Sequence, residues 1–423
     1  MTLVNCTELT GFLLSLFSMD DIPTICRQAE TLLAEIFLLP VRLDVQEQFE
    51  SNHTVLRCAV HSQNPFARLP GTVIVKRREV NPEAAPDKFD QSILFRNEWA
   101  SLDFLTSLTS QTRLGPRLIA SDRLIGLVVL EDLGSVQTVQ DVLYGPDRQA
   151  AMDALLGMGR KLGQIQNKTF GRESEFLSLQ AALGAKTTLC DANLDCRAHL
   201  GELHACLSAL DIPLDPMFDR ALLDLENAIH GPGHFRTFVH NDAGPHNFVV
   251  TDSGVQLLDF EFAGYGHGLL DVVCARLAFP PAFRGRVLPM EIVRQLEAAY
   301  RAELIPLRPE ASDDRLFTKA VAQACAHWAF SKLIGVWDYL DERLSQGEAR
   351  DSRDGRVPER NAFLRQQVFS YLRLASATLE EFDHLPELHS ALSKIVNRLM
   401  QVFPETPLLD TYPAFGGEPW HYP

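Results

Sequence analysis

The stretch FVHNDAGPHNFVV (residues 238–250) sets a histidine, an aspartate two positions on and an asparagine five positions further between two apolar runs with strand character. Strands on both sides of a short loop would hold its polar groups in place before a ligand arrives. The order is H-x-D-x-x-x-x-N over His240, Asp242 and Asn247, and twelve residues beyond Asn247 stands Asp259, in VQLLDFEFAG (255–264). Between them TDSG (251–254) is a hairpin turn, which carries Asn247 and Asp259 to adjoining strand ends where both can converge on one cation. Taken alone, polar residues in such a loop often do no more than cap turns.

Phosphoryl transfer explains why this set of residues would be needed together. An attacking hydroxyl must be held in line with the γ-phosphate and relieved of its proton, which suits a carboxylate at Asp242. Mg2+ takes oxygen ligands and commonly one or two carboxylates plus phosphates, which suits Asp259 with the amide oxygen of Asn247; Glu261 is a further metal candidate. His240 would shape the loop and not transfer protons. The spacing matches the H-R-D-x-x-x-x-N loop and following D-F-G aspartate of protein kinases.

A lysine for the nucleotide phosphates should then lie upstream. Residues 41–80 hold short β-branched runs broken by turn residues, read as antiparallel strands, and VIVK (73–76) ends one of them at Lys76. Glu98 follows on QSILFRNEWASLDFLTSL (91–108), whose apolar spacing is helical. An ion pair between the two would aim the ammonium at the phosphates. The preceding loop has no glycine, so backbone amides and the side chains of Ser51, Asn52 and Thr54 would cradle phosphate.

These motifs together resemble the aminoglycoside phosphotransferase and choline kinase family, small-molecule kinases with the protein-kinase fold. The likeness runs from about residue 42 to about residue 280: ESNHTVLR for the phosphate loop, VIVK for the lysine strand, FRNEWASLDFL for the glutamate helix, VVLEDLG for the hinge, VHNDAGPHN for the catalytic loop and LLDFEFAGYGHGLLDVV for the metal segment. The resemblance implies that backbone around Glu131 and Leu133 hydrogen-bonds adenine and that Asp271 braces the catalytic loop. Four departures stand out: Asn241 where the family usually has glycine, His246 before Asn247, Glu261 in the metal segment, and GQIQNKT (163–169) without the histidine often found at that helix end.

The expected fold is therefore α+β and protein-kinase-like, with a small antiparallel β N-lobe holding one helix and a larger, mostly helical C-lobe. Residues 1–40 form an N-terminal helical extension, 41–133 the N-lobe for the nucleotide phosphates, and 134–423 the C-lobe. Helices are read over 21–39, 147–167, 315–342 and 358–402, and a surface loop over 343–358. The glycines of GMGRKLG (157–163) sit in a helical stripe and would permit close packing, Trp328 and Trp337 read as core, and GYGHGLLD (264–271) as a bend. The segments 170–235 and 281–423 would build the acceptor pocket.

Bulk composition narrows the rest. The 423 residues are 46% hydrophobic and 22% charged, with a formal net charge of −16, which argues against a nucleic-acid partner, since that would need a basic stripe. Eight scattered cysteines indicate a reducing compartment. Cys190 and Cys196 with His199, His204 and Cys206 match no usual zinc spacing and read as buried thiols and surface histidines. No apolar run reaches the length of a membrane span and the N-terminus lacks a basic signal region, so a cytoplasmic protein with no membrane partner is expected. The expected activity is transfer of phosphate from ATP, with Mg2+, to a hydroxyl of an amino alcohol, aminoglycoside, sugar or hydroxy amino acid. The competing expectation is a nucleotide-binding pseudokinase or scaffold without turnover. No APE follows the metal segment, which argues against a protein substrate.

Overall fold

Alternating β-branched residues and turn breakers produce the strands expected over 41–80, and the long amphipathic runs produce helices. The computed structural model describes residues 22–49, 53–64, 66, 68–80, 91–108, 113–185, 195–213, 215–279, 285–340 and 357–417. Ser51, Asn52, Cys190 and most of the 343–358 loop lie outside the described residues. Among the described residues, one unit takes those up to Val136, those between Ser174 and Leu189, and Leu257–Phe262; the second takes the remainder. No described helix is long and apolar enough to cross a membrane.

The first unit begins with α1 (Ile22–Phe37), then β1 (Arg42–Phe49), β2 (Thr54–His61), β3 (Thr72–Arg77), α2 (Gln91–Leu108), β4 (Leu118–Asp122) and β5 (Leu127–Glu131). The five strands form one antiparallel sheet in the order β1-β2-β3-β5-β4. Ile25, Ala29 and Leu33, spaced to share one face of α1, pack with Leu43, Leu56, Val73, Val75 and Val129 in a single core. The helix anticipated ahead of the main fold is thus packed on the sheet. Register sets Lys76 opposite Val55 on one side and Val128 on the other, in the middle of three paired strands. Phe176 and Gln180 also belong here, through a Phe104–Phe176 ring contact and a 2.5 Å hydrogen bond from Gln180 Nε2 to Asn97 Oδ1. That part of 170–235 therefore supports α2.

In the second unit the chain runs through β6 (Gln137–Thr138), α3 (Val139–Tyr144), α4 (Arg148–Thr169), α5 (Glu173–Leu183, largely in the first unit), α6 (Leu200–Ala209) and α7 (Pro216–His230). It continues through β7 (Arg236–Val239), β8 (Phe248–Thr251), β9 (Gly254–Leu257), β10 (Gly264–His267), α8 (Leu269–Val272), α9 (Met290–Leu304), α10 (Asp314–Leu340), α11 (Val357–Phe382) and α12 (Pro386–Val402). Asp147 caps α4 by accepting from the amides of Gln149 and Ala150. Close packing at the α4 glycines is observed: a Cβ on Gly159 would lie 2.6 Å from the Leu296 carbonyl oxygen, and one on Gly163 would lie 2.7 Å from that of Tyr300, both on α9. The helical run over 358–402 is broken in two at residues 383–385, where Asp383 and Leu385 turn to positive φ and Pro386 starts α12. Trp328 is core, fully buried with its indole N–H donated to the Leu270 carbonyl at 2.9 Å; Trp337 is buried as well.

β7 pairs antiparallel with β10, and β8 lies between β6 and β9 in a three-stranded sheet. The loop of the opening stretch therefore leaves one short sheet at Val239 and enters another at Phe248.

Candidate functional site

Charge dominates the cluster in the first unit. Lys76, near the end of β3, lies 2.5 Å from Glu98 Oε1 on α2 and 2.5 Å from Asp259 Oδ1. Lys76 and Glu98 are almost wholly buried, while the Asp259 side chain keeps 33% of its exposure. Two residues along, Arg78 enters the same cluster: its guanidinium bonds Glu261, reaches Gln91 Oε1 at 2.9 Å, and lies 3.8 Å from Glu98 and 4.0 Å from Asp259. The sequence reading anticipated Lys76, Glu98 and Asp259 and missed Arg78. Its signal was present in VKRR (75–78), where the β-strand alternation puts residues 76 and 78 on one face.

The electrostatics follow from this packing. Burial alone would raise the Asp259 carboxyl, but the charges of Lys76 and Arg78 outweigh it and hold the group well below the ordinary carboxylate range. His53, at the turn into β2, moves the other way for an imidazole: burial, then Lys76 and Arg78, push it down to about 2, so it is neutral. Glu98, Asp259 and Glu261 each offer a carboxylate oxygen within 4.8 Å of the other two. That is an all-oxygen donor set, the chemistry a hard cation such as Mg2+ requires. Thr54, beside His53, opens β2. Glu131 closes β5 and its amide donates to the Arg117 carbonyl at 2.9 Å, while its carboxylate takes Arg113 at 2.7 Å. Leu133 lies in the following segment, which Arg57 ties down through Asp132 at 3.0 Å and the Gly134 carbonyl at 2.7 Å.

Backbone hydrogen bonds dominate the loop in the second unit. Asp271, buried on α8, accepts the amides of His240 at 2.8 Å and Asn241 at 2.9 Å through its two oxygens. Burial raises its carboxyl, and the two amide bonds offset only part of that. His240 Nδ1 accepts the Asp242 amide at 3.3 Å, so the buried imidazole braces the loop from inside. Asn241 has φ 65°, which explains a glycine preference at this position and why asparagine can stand in for it.

Asn247 sends its Nδ2 to the Asp242 carbonyl and to Asp242 Oδ2, both at 2.9 Å. Those two bonds orient the amide, so its oxygen, the end a cation needs, points away from Asp242. His246 Nε2 lies 3.6 Å from Asp242 Oδ2, which makes this departure a direct neighbour of the loop carboxylate. Gln166, where the sequence lacks a histidine, bonds the Gly268 carbonyl at 2.9 Å and takes the Tyr300 hydroxyl at 2.6 Å. It holds the backbone just ahead of α8.

The phosphotransferase enzyme family is matched over residues 90–307, just over half of the chain. No curated protein matches the sequence. Among solved structures, choline kinase from Cryptosporidium parvum Iowa II aligns at 12% identity over 89% of this chain and 100% of its own, with a TM-score of 0.48. Choline kinase from Streptococcus pneumoniae aligns at 16% identity over 84% of this chain and 99% of its own, with a TM-score of 0.37.

Proposed function

The chain belongs to the phosphotransferase enzyme family, and from that premise we propose that it transfers the γ-phosphate of ATP to a hydroxyl of a small molecule in the cytoplasm. The observation that carries this reading is the contact of Lys76 with both Glu98 and Asp259 at 2.5 Å. A lysine fixed by a buried glutamate is a positioned cation for phosphate oxygens. Asp259 and Asn247 would hold Mg2+, which when bound offsets phosphate charge. Glu261, engaged by Arg78, serves first as the counter-charge that keeps this second cation in place.

Asp242 orients the acceptor hydroxyl and takes its proton. Asn247 bonds to one of its oxygens and so limits the rotation of the carboxylate before substrate binds. His240 and Asp271 act through the backbone, by holding the loop. Thr54, with Ser51 and Asn52, would contact phosphate, and the backbone at Glu131 and Leu133 would contact adenine. The acceptor belongs to the amino alcohols, aminoglycosides, sugars or hydroxy amino acids, each of which offers a hydroxyl that an aspartate can deprotonate.

The test is ATP consumption by wild type and Asp242→Asn against a panel of those acceptors, with nucleotide binding measured in parallel. Loss of the base should lower kcat about 10²- to 10⁴-fold while ATP still binds. Nucleotide binding with no Asp242-dependent turnover on any acceptor would replace this reading with a non-catalytic nucleotide-binding role.

A further inference from the structure

Away from the residues used above, the second unit gathers four side chains of metal-ligating type. Glu226 and His230 stand one turn apart on α7, His327 lies on α10, and Cys196 lies in the turn before α6. Cys196, Glu226 and His327 have no exposure, and each offers a ligand atom within 4.8 Å of the other two. His327 Nδ1 is 2.7 Å from Glu226 Oε1 and His230 Nε2 is 3.3 Å from Glu226 Oε2. That Nε2 is shielded from solvent and makes no hydrogen bond among the described residues. The two imidazole rings are 5.5 Å apart and nearly perpendicular, so they approach the carboxylate from different directions.

We propose that Cys196, Glu226, His230 and His327 form a structural site for a transition-metal dication of the zinc class, separate from the phosphotransfer residues. Ligand type selects the ion: one sulfur, two nitrogens and one oxygen suit four-coordinate zinc, whereas Mg2+ and Ca2+ take oxygen. Tetrahedral bonds of about 2.0–2.3 Å set ligand atoms roughly 3.3–3.8 Å apart; Cys196, Glu226 and His327 already lie within 4.8 Å of one another, and His230, now on the other Glu226 oxygen, would turn toward them as the fourth ligand. Charge also balances. Binding expels the thiol proton, and thiolate plus carboxylate then neutralise the dication while both imidazoles stay neutral.

Neighbouring groups leave this set distinct. Asp195 also lies within reach of Glu226 and His230, but both its oxygens are held by Arg197 at 2.6–3.1 Å. His199 pairs with Glu202 and His204 with Asp219, which removes the two histidines nearest in sequence to Cys196. Filled, the site would tie the turn before α6 and the end of α7 to the middle of α10. That is a staple on a region whose sequence connections are long.

Metal content of the full-length protein, expressed with zinc and freed of loose ion by gel filtration, tests the assignment. Wild type should retain about one zinc per chain, and Cys196→Ser or His327→Gln should lower retention more than the ~10- to 100-fold seen when only an outer partner of a ligand is lost. Cobalt loading of wild type should produce a thiolate-to-cobalt absorption band. Chelator should lower the melting temperature of wild type and leave that of His327→Gln unchanged. The proposal is overturned by wild type without zinc and without the cobalt band, or by zinc that leaves with Asp259→Asn and not with Cys196→Ser. Should the variants fail to fold, the cobalt spectrum of wild type decides alone.

Discussion

Two carboxylates, the partly exposed Asp259 and the buried Asp271, are held by opposite means. Asp259 faces Lys76 at 2.5 Å and Arg78 at 4.0 Å, and full charges hold its carboxyl down. Asp271 meets the amides of His240 and Asn241, and burial, which those partial charges cannot fully offset, holds its carboxyl up. The difference separates two ways of preparing a site. Asp259 is set among side-chain charges of both signs. A residue that must fix loop geometry binds the backbone itself, where a hydrogen bond constrains φ and ψ directly.

The largest effect should come from breaking the ion cluster. Lys76→Met leaves Glu98, nearly inaccessible to solvent, facing Arg78 alone at 3.8 Å and Asp259 without its closest partner. Removing one member of a buried pair costs about 3–5 kcal/mol, and urea unfolding should show an unfolding free energy lower by that amount along with loss of turnover. A change below 1 kcal/mol would mean that water already reaches Glu98.

On the other side of the comparison, Asp271→Asn keeps the shape but offers one oxygen where two amides now bond. One buried N–H is left without its acceptor, at a cost of about 1–3 kcal/mol. Because the damage is to loop position, kcat should fall with little change in the KM for ATP. An equal rise in KM would show that Asp271 supports nucleotide binding as well.

Acid should separate the same two groups by sign. Asp259 has a depressed folded pKa, so its contribution is present above the ordinary carboxylate value of about 3.9 and is lost as pH falls through the depressed one. Asp271 has a raised folded pKa, so its contribution is fully present below about 3.9 and is lost as pH rises through the raised value. The stability gap between wild type and Asp259→Asn should therefore shrink on acidification. The gap to Asp271→Asn should not follow it, and parallel curves in unfolding titrations would contradict the contrast.

Legibility divides along similar lines. The strands over 42–77, α1, α2 and α4 were readable because their side-chain periods of two and 3.6 are local. Lys76, Glu98 and Asp259 were readable as a set because spacing and order carry the kinase pattern. Arg78 was not, since strand alternation shows a shared face but cannot show what faces it across 183 residues of chain. Glu226 and His327 escaped for the same reason: they are 101 residues apart at their contact, whereas Cys196 was weighed only against the cysteines and histidines near it in sequence. The break at 383–385 was hidden because apolar periodicity continues across it.

Asn241 carries the smallest expected effect and makes the meaning of a sequence departure clearest. The family pattern usually has glycine there, and a difference in residue type looks like a defect in the loop. The backbone at φ 65° shows what is required is a conformation, one that glycine adopts freely and asparagine tolerates. Asn241→Gly should therefore leave stability within about 0.5 kcal/mol of wild type and leave kcat unchanged. Asn241→Val, β-branched at a left-handed position, should cost about 1–2 kcal/mol and lower kcat by displacing the amide that Asp271 holds. Equal melting curves and turnover for the two variants would mean that Asp271, by gripping both amides, sets the loop whatever residue stands at 241.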